Sequence, residues 1–129
     1  MPILVENAGM KYLLIIYGNK EKWDSFSPEE TEEAIQRHEE FAQKYFKTGE
    51  MLGGYGLEDA AAAKIVLRKD GAPAVTDGPF IEAKEYMASF WMIDVDSEQR
   101  ALEIAADLPY AHQQPVEVWP VPHESSRPA

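Results

Sequence analysis

No cysteine occurs among the 129 residues of this chain. That excludes a disulfide scaffold, thiol catalysis and thiolate metal ligation, and it suits a reducing cytoplasm. Basic residues are scarce: 12 Lys and Arg stand against 23 Asp and Glu, for a net charge of −11. Such a balance repels phosphate backbones and anionic lipid, so neither nucleic acid nor a membrane surface is an expected partner. Long apolar runs are missing as well. The longest, Tyr12–Tyr17, is far short of a bilayer span. The opening MPILVENAG has neither the basic segment nor the long apolar core of a secretion signal. A cytoplasmic domain is the expectation.

Several chemical signatures are missing too. His38, His112 and His123 show no short paired spacing, so no metal site is expected. Gly53-Gly54-Tyr55-Gly56 carries neither a P-loop lysine nor the Gly-x-Gly-x-x-Gly order of a dinucleotide site. A Gly-x-Ser-x-Gly nucleophile elbow is not present. No cofactor is expected.

The length fits one domain able to bury about two-thirds of its unfolded surface. Residues 1–9 read as a tail, 10–122 as the domain and 123–129 as a polar tail, with Met10 an alternative start to Met1. Tyr12–Tyr17 is a strand with apolar residues at both parities, and such a strand needs cover on both faces. Ser27-Pro28-Glu29-Glu30 places a hydroxyl at N-cap, proline at N1 and glutamate at N3, a capping box. The helix it opens has its apolar stripe at Ala34, Ile35, Phe41, Ala42, Tyr45 and Phe46, and Gly49 stops it. Met51–Leu57 is a bent, glycine-rich strand, and Asp70-Gly71 turns a hairpin between 64–68 and 73–76. Tyr86–Val95 is again apolar at both parities. Asp96 and Gln99 open a second helix with Leu102, Ala105 and Leu108 as its stripe, Pro109 closes it, and Val116–Val121 is the last strand.

This β-α-β-β-α-β order implies an α+β, ferredoxin-like split βαβ sandwich with an inserted hairpin and both helices on one sheet face. The other face, also apolar, then calls for a second copy packed sheet to sheet, so a homodimer is expected.

The chain resembles the YCII-related proteins, and within them the subgroup with an Asp-Gly-Pro-Phe motif. The residues that carry the likeness are Lys11–Gly18, Ser27–Glu30, Gly49–Gly54 with Gly56-Leu57, Thr76-Asp77-Gly78-Pro79-Phe80, then Glu82, Lys84, Glu85, Ile93–Ser97 and Val116–Val118. The resemblance implies a ferredoxin-like fold pairing as a dimeric α+β barrel. It also implies a cleft in which some relatives carry a histidine and an aspartate, and a frequent association with extracytoplasmic-function sigma factors. Two positions depart from the pattern. Met87-Ala88-Ser89 stands where the family has two glycines, and Trp119 where it has an arginine.

His38 lies on or beside the first helix's apolar stripe, eleven residues before Gly49, where some relatives place their cleft histidine. It reads either as a boundary histidine bonded to a carbonyl or as a general acid–base. Asp77 reads either as a turn former or as a cleft carboxylate, which burial would oblige to pair with His38 or Lys84. Glu82, Lys84 and Glu85 are either a solvated strand end or a site for an anionic substrate. On the enzyme reading, His38 moves a proton, Asp77 orients it and Lys84 stabilises developing negative charge, while Phe80, Glu82 and Glu85 bind a small organic substrate. The reaction would be of isomerase or lyase type and cofactor-independent. The alternative is a module that binds a metabolite without turning it over and acts with a sigma factor.

Overall fold

The structure, a computed structural model, describes residues 9–78, 85–109, 111 and 114–125, with the backbone alone at 19, 20 and 85. Strand β1 (Met10–Asn19) leads through a short helix α1 (Lys20–Asp24) into the long helix α2 (Pro28–Thr48). Strand β2 (Met51–Gly56) follows, then a 3-10 turn at Ala60–Ala62 and the strand pair β3 (Lys64–Lys69) and β4 (Ala72–Asp77). Strand β5 (Glu85–Val95), helix α3 (Glu98–Ala106) and strand β6 (Glu117–Pro120) complete the order.

Four strands form one antiparallel sheet in the order β2-β5-β1-β6, and β3 and β4 form a separate two-stranded sheet. This is the ferredoxin-like arrangement with an inserted hairpin. Asp70 and Gly71 both have positive φ (52° and 78°), which aligns the turn's twist with that of the strands it joins.

Local chemistry sets the helix limits. Ser27 Oγ accepts from the Glu30 amide while Glu30 Oε1 accepts from the Ser27 amide, closing the capping box. Gly49, at φ 85°, ends α2 in the left-handed conformation. The cap of α3 is a correction to the sequence reading: Ser97, not Asp96, holds it, its hydroxyl accepting from the Arg100 amide. Two adjacent residues of good capping chemistry compete there, and the one with extended backbone at the helix boundary wins.

The core lies between the helices and one sheet face. Tyr12, Leu14 and Ile16 of β1 and Trp91, Ile93 and Val95 of β5 meet Phe41, Ala42 and Tyr45 of α2 and Ala101, Ile104 and Ala105 of α3. The sheet-facing stripe of α2 is therefore narrower than its apolar residues suggest. Ile35 is 64% exposed and Phe46 is exposed as well; on α3, Leu102 is likewise exposed. Leu13 and Ile15 of β1 and Phe90 and Met92 of β5, which pair across the ladder, lie on the opposite face with Tyr55 and Trp119. Tyr55 and Trp119 are largely exposed. No helix among the described residues is long and apolar enough to cross a membrane.

Candidate functional site

Residues three and four apart share one face of a helix, so His38, Phe41 and Tyr45 form one row along α2. The row packs on Trp91. Phe41 meets the indole edge-on at 5.3 Å between ring centroids, and His38 does so at 5.9 Å. Phe41 in turn meets Tyr45 at 5.2 Å. Across the sheet, Gly54 of β2 stands opposite Trp91. A Cβ at Gly54 would fall 2.2 Å from Trp91 Cε3, so only glycine lets the indole lie over β2.

His38 is half-buried. Desolvation lowers its pKa from the ordinary value near 6.5, because burial penalises the imidazolium. At neutral pH the ring is uncharged and able to accept a proton. Beside it, Trp91 Nε1 is buried and donates to no acceptor among the described residues. Leaving such a donor unmet costs about 1–3 kcal/mol, and buried donors of that kind mark strained, wet or ligand-binding places. An imidazole with a buried Nε2 and an indole with a buried Nε1 thus pack edge to face on the helix–sheet seam.

Asp77 is elsewhere in chemical terms. It ends β4 opposite Lys64, whose Nζ donates to Asp77 Oδ1 at 2.6 Å, and its side chain is 86% exposed. No hydrogen bond or ion pair among the described residues joins it to His38. Phe80, Glu82 and Lys84 lie outside the described residues. Glu85 is described only as the first residue of β5. Sequence reasoning read the strand that holds Trp91 as apolar at both parities and missed that its N–H has no acceptor among the described residues. Its parity on β5 gives its face, but no sequence pattern gives the fate of one nitrogen.

The seam is locked at its far end by charge. Arg100 holds Glu50 with two bonds, Nε to Oε2 at 2.7 Å and Nη2 to Oε1 at 2.9 Å. Arg100 foremost, with Thr48, pulls the Glu50 carboxyl below its ordinary pKa against the opposing effect of burial. Asp107 accepts from Lys44 Nζ and from Tyr45 Oη, both at 2.8 Å. A groove of about 360 Å³ beside this lock is lined by Arg37, Glu40, Phe41, Lys44, Asp107 and Pro109. Its cations are already neutralised, Arg37 by Glu33 and Lys44 by Asp107, so it offers an anion little.

On the sheet's other face, Glu117 Oε1 accepts from Tyr17 Oη and from Trp119 Nε1, each at 2.9 Å. Trp119 thus satisfies a carboxylate with a neutral donor. Among the described residues no group of three or more His, Asp or Glu is placed to hold a metal ion.

The sequence model of the YCII-related domain matches residues 10–123. The chain belongs to the YCII-related family. An uncharacterized protein of Rhizobium meliloti (strain 1021) is 31% identical over 103 residues, which cover 80% of this chain and 83% of that protein. The core described above, from β1 to β6, falls inside the YCII-related match.

Proposed function

We propose that this YCII-related chain is a small, cofactor-independent enzyme that moves a proton on a small organic molecule, with His38 as the proton carrier. The observation that carries the reading is the pairing of His38 with Trp91. A half-buried imidazole of lowered pKa lies 5.9 Å, centroid to centroid, from an indole whose N–H has no acceptor among the described residues. Such a pair suits a substrate with a carbonyl-type oxygen: the indole N–H holds the oxygen, and the neutral imidazole takes a proton from the adjacent carbon. Lys84 would stabilise developing negative charge, and Phe80, Glu82 and Glu85 would line the substrate. Asp77, paired with Lys64 on the hairpin, takes no part in this proton transfer. The motif Thr76-Asp77-Gly78-Pro79-Phe80 supports placement in the Asp-Gly-Pro-Phe subgroup, and a cytoplasmic setting goes with the absence of cysteine.

The test is a thermal-shift screen of small ketones, keto acids and hydroxy acids, followed by turnover assays on hits. Wild type, His38→Gln and Trp91→Phe are compared. A ligand that binds only the folded state raises the melting temperature. Weakened binding in Trp91→Phe, with turnover lost in a folded His38→Gln, is the expected result. Undiminished turnover in His38→Gln would sink the assignment.

We propose also that two copies pair through the open sheet face. Its support is the half-buried apolar set Leu13, Phe90 and Met92 around an already buried Ile15, flanked by exposed Tyr55 and Trp119. A monomeric mass by light scattering would refute it.

A second reading, a non-catalytic metabolite-binding module acting with a sigma factor, has one observation in its favour. Asp77 is paired on the exposed hairpin rather than with His38, so no histidine–aspartate dyad is assembled. The exposed glutamates Glu29, Glu32, Glu33 and Glu39 on α2 would suit a basic partner. Failure to co-purify with a sigma factor encoded alongside would count against it.

A further inference from the structure

The β3–β4 hairpin raises a problem of stability, because among the described residues only one of its faces finds any cover. A two-stranded sheet is marginal in water unless one face is packed. Ladder register puts Lys64, Val66 and Arg68 on one face with Asp77, Val75 and Pro73, and Ile65, Leu67 and Lys69 on the other with Thr76, Ala74 and Ala72. The second face has some shelter, since Ile65 and Ala74 are half-buried. The first has none. Val66 and Val75 stand directly opposite each other at 65% and 60% exposure, and Leu67 on the other face is 64% exposed.

Charge separates the hairpin from the rest of the molecule. Residues 64–77 hold three basic side chains, Lys64, Arg68 and Lys69, and two acidic ones, Asp70 and Asp77. Elsewhere the chain has 9 basic and 21 acidic residues, what remains of its 12 and 23. A weakly cationic, apolar element therefore belongs to a strongly anionic body. Lys69 forms no ion pair among the described residues, although the chain is rich in carboxylates. The acidic body of another copy of the same chain complements the hairpin's charge.

We propose that the β3–β4 hairpin is an arm that docks, through its Val66–Val75 face, on a second copy of this chain. Under a two-fold axis each copy gives one arm and receives one, so both exposed valine pairs are covered at once. This rests on the pairing of two copies proposed above and adds a second contact to it. Arg68, on that same face near the tip, would face carboxylates of the partner. The arm's contribution then falls as salt rises, whereas apolar sheet-to-sheet contact does not weaken in the same way.

Sedimentation equilibrium across a dilution series, at low and high salt, tests the arm on wild type, Val66→Thr/Val75→Thr and Val75→Glu. The threonine pair keeps β-branched strand formers, so folding is retained, and circular dichroism verifies it. Dimer dissociation constants about tenfold higher in the threonine variant, and higher still for Val75→Glu, are expected. Amide exchange of 64–77 in wild type should quicken on dilution to monomer. A monomeric wild type at every concentration overturns the pairing and the arm together. A dimeric wild type whose dissociation constant is unmoved by both variants, with exchange in 64–77 independent of dilution, overturns the arm and leaves the pairing standing.

Discussion

Trp91 and Gly54 occupy one volume between them: a methyl group on Gly54 would sit 2.2 Å from Trp91 Cε3. The indole that packs against His38, its N–H without an acceptor among the described residues, is therefore held in place by the absence of a side chain on the neighbouring strand. Gly54→Ala should displace the indole and destabilise the fold by about 1–3 kcal/mol, as overpacking does. Urea denaturation measures it. Gly56→Ala, with nothing within 4 Å of the added atom, is the control and should cost much less.

His38 titrates below 6.5 because burial disfavours its charged form. Linkage fixes the sign. Above 6.5 both folded and unfolded states hold a neutral ring, and His38 adds no pH dependence. As pH falls below 6.5 the unfolded chain takes up a proton that the folded one refuses, and stability drops until the folded value is passed. NMR titration of the imidazole should give a midpoint below 6.5. The stability of wild type relative to His38→Gln should decline over that same window.

Glu50 has the opposite chemistry and the same sign. Its folded pKa is depressed, first of all by Arg100, so its contribution is complete above about 4.5 and is lost as pH falls through the folded value. Arg100→Ala should destabilise the fold at pH 7, because it removes both bonds to the Glu50 carboxylate. The cost should shrink below pH 4.5. Chemical denaturation at pH 7 and pH 3.5 measures both, and an equal cost at the two would refute the coupling.

Ser97 and Asp96 compete in sequence for one role, and structure gives it to Ser97. Ser97→Ala should destabilise by about 1 kcal/mol, while Asp96→Ala should change little. Ser27→Ala, which opens a complete capping box, should cost at least as much as Ser97→Ala. Thermal melts of the three variants rank them.

Element order was readable because period and punctuation agree: Ser27-Pro28 with Gly49 bounds α2, and Asp70-Gly71 turns the hairpin. The phase of α2 was not. Ile35 and Phe46 are apolar but point to solvent, since periodicity counts apolar residues without knowing how wide a stripe the sheet accepts. Helix α1 was missed because five residues carry too little pattern. The partner of Asp77 could have been found: Lys64 and Asp77 are equidistant from the Asp70-Gly71 turn, so a hairpin sets them face to face. The buried N–H of Trp91 could not, because it depends on which atoms approach one nitrogen in space.

Strand β1 begins beside the end of β6, with Tyr12 opposite Pro120 and the Val121 amide bonded to the Lys11 carbonyl. The path from first strand to last is accordingly almost a closed ring, broken at one corner of the sheet. A short linker across that corner, with new ends cut in the turn at Asp70-Gly71, would yield a circular permutant that keeps every ladder of the main sheet. In that rearranged chain the hairpin's two strands would become the loose ends.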